Sequence, residues 1–444
     1  MSALPALPRL PWHSTFRPRL TRRLAPVLIL VYAALLPREL SLDLAGANLF
    51  PYRIALFALA PIAVARLLAR PVQPSVIDLF AGFASIWFVL ALFVTTTPVT
   101  ALITGTSLAL DFGFAYLIGR AFIRSANDLR TIFYYTLPGL AVVAVILAYE
   151  SISHDIFLRP LIADILGKPE PVLVSRVRWG LVRAAGPFPH PILGGVFLAT
   201  ILPLAVYFTS NWRQLAPAAF VAVSSFFVVS ATAVLAFALA AFMMGAYTVQ
   251  RISRVPVFLL LGLYAILLYL MLSVVSESGP VSFFVRNFTL DPSTGYYRML
   301  IWQYAGAEAV AHPWVGIGLR DWTRQDWMGD SVDSYWLYLA LRYGFPASIA
   351  SAAVMVGTVT LLVKTSGRRS ARDQYLAVAL AILLSCVIFS GFSVHLWEGL
   401  HTWIIMLCGA SVSYAKEFRS ADLTRNSDAA PPADKPTQGR SFAT

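Results

Sequence analysis

The stretch Val76-Ile-Asp-Leu-Phe-Ala-Gly-Phe-Ala-Ser-Ile-Trp-Phe-Val-Leu-Ala-Leu-Phe-Val94 holds one carboxylate, Asp78, and no basic residue. A helix needs about 20 mostly apolar residues to cross a bilayer, and this run supplies them. Similar runs recur along all 444 residues, which are 58% hydrophobic and only 13% charged. A soluble domain carries about 25% charged residues. Mean hydropathy is +0.71. A soluble fold can bury one or two such helices, not a whole chain of them. Backbone polar groups in lipid must be satisfied inside the protein, so the spans are expected to be helices. The runs are continuous rather than alternating, which argues against a transmembrane barrel. The expected fold class is therefore all-α, a polytopic helical membrane protein.

Twelve spans are expected, at residues 24–40, 52–68, 76–94, 100–120, 130–149, 191–209, 214–229, 231–249, 255–275, 346–364, 373–392 and 396–414. With twelve, the loops on the side of the termini carry Arg66 and Arg70, then Arg120, Arg124 and Arg130, then Arg213, Arg251 and Arg254. Lys364, Arg368, Arg369 and Arg372 follow, and finally Lys416 and Arg419. Basic residues collect on the cytoplasmic side, so both termini are expected there. If residues 214–249 were one helix, every later loop would invert, so two are expected with a break near Ser230. Arg9, Arg17, Arg19, Arg22 and Arg23 precede the first apolar run, but no small-residue cleavage site follows it. The run reads as a first span rather than a signal peptide. The organisation is a cytoplasmic segment at 1–23, a membrane domain at 24–414 and a disordered cytoplasmic tail at 415–444. Cys386 and Cys408 both fall in spans and read as packing residues. The net charge of +12 is accounted for by cytoplasmic Lys and Arg, without nucleic acid.

Two external loops, at about 150–190 and 276–332, carry arginines that topology does not demand. Arg176, Arg178 and Arg183 lie in the first; Arg286, Arg298, Arg320 and Arg324 lie in the second. Guanidinium forks suit phosphate oxygens. Pairing with Glu277, Asp291, Asp321, Asp326 and Asp330, or with lipid headgroups, accounts for them equally well. Tyr297 to Ala311 reads as a helix with an apolar face formed by Leu300, Ile301, Tyr304 and Ala305. The aromatics from Trp302 to Trp327 suit a position along the membrane surface, against headgroups or sugar rings. Phosphate loops, HExxH, CxxC and GxSxG motifs are absent, and the six histidines show no metal-ligand spacing. No metal and no cofactor are expected. His190 and His312 each precede a proline and read as structural.

Three segments resemble the bacterial O-antigen ligase and O-antigen polymerase superfamily of membrane glycosyltransferases. They are Arg183-Ala-Ala-Gly-Pro-Phe-Pro-His190-Pro191; Arg298-Met-Leu-Ile-Trp302 with His312-Pro-Trp-Val-Gly316-Ile-Gly318-Leu; and Asp333-Ser-Tyr-Trp-Leu-Tyr-Leu-Ala-Leu-Arg-Tyr-Gly344. The resemblance covers residues 180–400. It implies transfer of a glycan from an undecaprenyl diphosphate carrier to an acceptor hydroxyl at the outer face of the inner membrane, without a metal. Arg183 and Arg298 match the family arginines that would hold the diphosphate, whose charge grows as it leaves. The third segment departs from the pattern. The family's His-Asn is Asp333-Ser334 here, and its acidic residue is Arg342.

A base must then come from elsewhere. Asp333 could serve, with burial raising its pKa; it could instead only cap the following helix. His395, with Glu398 one turn on, is the rival base, or a packing residue at the interface. Arg176, Arg178, Arg320 and Arg342 complete the candidates. The expected activity is polymerisation of lipid-linked polysaccharide repeat units, for an exopolysaccharide or O-antigen. The alternatives are ligation of glycan to lipid A core, transport of a lipid or polysaccharide, or a scaffolding role for an inactive homologue. Expected partners are the lipid-linked glycan, its acceptor, membrane lipids and a chain-length regulator.

Overall fold

The computed structural model describes residues 18–44, 47–171, 177–208, 212–275, 292–367, 369 and 371–428. Each of the twelve expected stretches overlaps a helix. Among the described residues, seven helices are long and apolar enough to cross a membrane: Pro51–Ala69, Val76–Thr95, Pro98–Phe122, Ala126–Ser153, Ala231–Ser253, Tyr335–Ser366 and Asp373–Ser390. Ala25–Ala34, Pro191–Tyr207, Leu215–Val228 and Val257–Met271 are apolar but shorter. The chain is thus an all-α, membrane-embedded protein. Strand in the described residues is confined to two short antiparallel hairpins, Leu42–Leu44 with Ala47–Leu49 and Val177–Arg178 with Leu181–Val182.

Local chemistry sets several boundaries. Ser75 and Asp78 form a reciprocal cap at the start of Val76–Thr95, and Ser125 and Asp128 do the same for Ala126–Ser153. Each cap satisfies two backbone N–H groups that a helix start leaves open. Between 214 and 249 the chain breaks at Val229, which has φ +44, and Ser230 precedes the Ala231–Ser253 helix. The expected pair of helices is therefore separate. The last helix, Glu398–Asp428, runs past the expected start of the tail at 415. No proline interrupts the sequence there until Pro431. Within Pro98–Phe122 the helix widens at Ala101–Gly105 and again at Leu110–Phe114. The second widening carries buried Asp111, bound by Arg53 Nη2 at 2.7 Å.

Tyr335–Ser366 is broken at Gly344, whose φ of 81 and ψ of 167 only glycine adopts readily. Pro346 has no N–H for the Arg342 carbonyl, and that carbonyl accepts from Gly318 N at 3.1 Å instead. Ile317 N donates to Leu341 O at 2.8 Å, and Phe345 N to Pro313 O at 2.8 Å. The glycine-rich second segment is thereby stitched along the broken helix. A Cβ on Gly316 would stand 2.4 Å from Leu341 O, and one on Gly344 only 1.9 Å from Trp314 O. These glycines serve close backbone approach.

One large apolar core runs through the bundle. A second, smaller one joins Ile301, Ala305 and Ala309 of the Pro292–Ala311 helix to Ile317, Trp322, Met328, Val332 and one face of the Tyr335–Ser366 helix. The expected apolar face of Tyr297–Ala311 is thus buried at Ile301 and Ala305. The helix begins earlier, at Pro292.

Candidate functional site

Arg183 leaves the second hairpin as a buried side chain, 5% exposed. The segment after it is held by side chains from elsewhere. Ser151 Oγ donates to Val182 O at 2.9 Å. Glu150 Oε2 accepts from the N–H groups of Ala185 at 3.1 Å and Gly186 at 2.8 Å. Gly186 supplies the left-handed turn, with φ +54. Arg159 donates to the carbonyls of Phe188 at 3.4 Å and Pro189 at 3.2 Å, and is fixed in turn by Glu39 Oε1 at 2.7 Å. The segment ends at His190, whose Nδ1 accepts from Ile192 N at 3.2 Å and caps the Pro191–Thr200 helix.

Arg298 and Trp302 come from the Pro292–Ala311 helix, four residues apart and so on one face. Arg183 and Arg298 line the same cavity, of about 870 Å³, and Arg178 lines it with them. Ser230, Thr232, Thr294 and Gln303 add polar groups, while Ile192, Leu235, Met299 and Phe389 make an apolar wall. The cavity can therefore hold a molecule with an anionic end and a hydrocarbon part. Both arginines also bear on His190. Burial, with their charges added, pushes it down to about 4. Its ring is neutral at pH 7. With Nδ1 accepting, the proton sits on Nε2, which makes His190 a donor rather than a base.

Asp333 lies close enough to Arg298 for the charge to act on it. Burial nevertheless raises its carboxyl above the usual range, against the pull of Arg298 and a hydrogen bond from Ser331 Oγ at 3.4 Å. The capping role does not belong to it. Ser334 accepts from Leu337 N at 3.3 Å and caps the helix, because Asp333 lies one residue too early.

His395 sits in the non-helical segment before Glu398–Asp428, packed on Tyr338 with ring centroids 4.0 Å apart and on Trp397 at 5.1 Å. Trp397 in turn lies 6.4 Å from His190. Burial, with the nearby His401, pushes His395 down to about 3. That weakens it as the rival base, since the aromatic packing excludes the water that would stabilise an imidazolium.

Glu398 is not one helical turn from His395, because the helix starts only at Glu398. It pairs with Arg38 at 3.4 Å and borders a different small cleft, with Phe50 and Tyr52. Arg342 is spent on the carbonyls of Gly318, at 3.1 Å, and Arg320. Arg320 is exposed and donates to Ile317 O at 3.2 Å. Arg324 pairs with Asp321, the simple ion-pair account of that residue. Arg176, Arg286, Glu277 and Asp291 lie outside the described residues. Sequence reasoning missed Glu150 and Arg159, whose partners are backbone groups of another segment. It read His190 as structural, although its position seven residues after Arg183 was visible. A search of family models returns no match for this chain, and no curated protein matches it.

Proposed function

We propose that the chain is a membrane glycosyltransferase that polymerises polysaccharide repeat units carried on a polyprenyl diphosphate. One observation carries this reading: Arg183 and Arg298, from segments far apart in the chain, line one cavity whose other wall is apolar. A diphosphate with a hydrocarbon chain has that combination of properties. In the reaction the acceptor hydroxyl oxygen bonds to the anomeric carbon. The bond from that carbon to the diphosphate oxygen breaks, and the electron pair leaves with the diphosphate, between Arg183 and Arg298. The hydroxyl proton goes to Asp333. Its raised pKa makes it a stronger acceptor than an ordinary carboxylate, whereas His395 is a weaker one. The His190 Nε2–H adds a neutral donor beside the two cations. The charge bias of the connecting loops supports an outward-facing site at a bacterial inner membrane, with both termini inside.

Deleting the gene and analysing the glycan tests the reading. Loss of a polymerase leaves single repeat units. Polymer left on the carrier and none on lipid A would make it a ligase. A charge-assisted contact contributes about 1.5–3 kcal/mol, so Arg183→Ala and Arg298→Ala should each lower turnover at least about tenfold. Full polymer formation by either variant would refute the diphosphate clamp.

A second reading, a transporter, is favoured by the widened Pro98–Phe122 helix with its buried Arg53–Asp111 pair. Ionisable pairs and irregular helices within a bundle mark transport pathways. An unchanged glycan profile in the deletion strain would select it.

A further inference from the structure

Beside the arginines, the cavity wall carries two aromatic rings with exposed faces. Trp302 is 39% exposed and Phe392 54%. The two rings lie nearly parallel, 6.3 Å apart at 24°. Trp302 Nε1 donates to Phe392 O at 3.1 Å. This bond fixes the indole against rotation and ties the Pro292–Ala311 helix to the segment after Ala371–Ser390. Trp314 and Trp327 are more exposed, at 72% and 65%, but neither lines this cavity. Trp322 is buried, its N–H spent on Asp330 O at 2.9 Å, and Trp397 is packed between His190 and His395.

We infer that Trp302 and Phe392 form the surface on which the donor's first sugar ring lies, one helical turn from the Arg298 that holds its diphosphate. The inference rests on the polymerase reading above. A rise of 1.5 Å per residue separates positions 298 and 302 by ~6 Å along the helix. That separation is comparable with the one between a sugar ring and the phosphate bonded to it. A pyranose presents a face of C–H bonds with slight positive charge, which suits the negative face of an aromatic ring. Its hydroxyls point outward from that face, and Gln303, Thr232 and Ser393 line the same cavity with groups to receive them. A lipid chain needs no such polar fringe.

The test uses the full-length protein in lipid nanodiscs and two probes. Farnesyl diphosphate is the sugar-free probe. Lipid-linked repeat units extracted from the deletion strain are the sugar-bearing one. Trp302→Leu and Phe392→Leu should weaken binding of the sugar-bearing probe by about tenfold. Farnesyl diphosphate binding should stay within about twofold of the original value. Trp302→Phe, which keeps a ring but loses the N–H, should retain most of the affinity and guards against a folding defect. Equal weakening for both probes would make the rings a lipid contact and overturn the inference, as would unchanged binding of both. The underlying reading is checked separately. Farnesyl diphosphate must bind the original protein and lose affinity in Arg183→Ala. If it does not bind at all, the clamp fails and the sugar platform falls with it.

Discussion

Glu150 lies outside the cavity's lining, yet replacing it should disable the site. Its Oε2 takes two buried N–H groups, from Ala185 and Gly186, at 3.1 and 2.8 Å. Hydrogen bonds to a charged group are worth about 1.5–3 kcal/mol each. Glu150→Ala should therefore destabilise the protein by about 3–6 kcal/mol, less whatever the turn recovers by shifting. Glu150→Gln keeps one oxygen acceptor and should lose about half as much. The turn begins two residues after Arg183, so its movement carries the guanidinium with it. A misplacement of about 1 Å costs on the order of a hundredfold in rate. The measurements are the melting midpoint in detergent and polymer formation in a complemented deletion strain. The expected order in both is original, then Gln, then Ala. An alanine variant with unchanged melting and full polymer formation would show that the turn holds itself and that Glu150 does not position Arg183.

Gly344→Ala must place a methyl where Trp314 O stands 1.9 Å away. The forced φ and the disrupted loop bonds should together cost about 3 kcal/mol or more, whereas Gly306→Ala, with open space around it, should be harmless or slightly stabilising. Equal melting midpoints for the two variants would contradict the stitched-loop account. Asp333→Asn should abolish polymer formation while His395→Gln retains it. The reverse result would make His395 the base despite its low pKa. His190 and His395 hold folded values of about 4 and about 3, below the usual 6.5. Unfolding lets both take up a proton, so stability present above pH 6.5 is lost as the pH falls towards those values. Each histidine steepens the loss by up to about 1.4 kcal/mol per pH unit. Melting midpoints should drop between pH 7 and 4, with a shallower drop in His395→Gln. A flat profile would falsify the buried, neutral state of both rings.

Hydropathy alone gave the helices away, because a whole chain of runs like Val76–Val94 has no soluble alternative. The break at Val229 was legible through charge, since joining residues 214–249 would have reversed every later loop. The arginines were legible as residue types, and Arg183 and Arg298 do meet in one cavity. What could not be read was which carboxylate goes with which cation. Glu398 seemed placed to serve His395 and instead pairs with Arg38, because the helix start that sets its direction depends on tertiary packing. Arg342 is available for an anion on sequence grounds and is instead consumed by the carbonyls of Gly318 and Arg320, in the loop stitched along the broken helix. Neither exchange leaves a mark on periodicity. Asp333 kept its place near Arg298, but its neighbour Ser334 took the cap, a one-residue shift that spacing rules do not resolve.

The Pro292–Ala311 helix buries Ile301, Ala305 and Ala309 in a small core of its own, distinct from that of the bundle. Of the residues this helix gives to the large cavity, only Leu300 also packs against that core; Tyr296, Met299 and Gln303 do not. Under selection the two sets are therefore separable. On the proposed polymerase reading, positions 296, 299 and 303 can change with the repeat unit while the buried stripe and the membrane helices stay fixed. Chemical specificity in such a protein is cheap to change, and its scaffold is not.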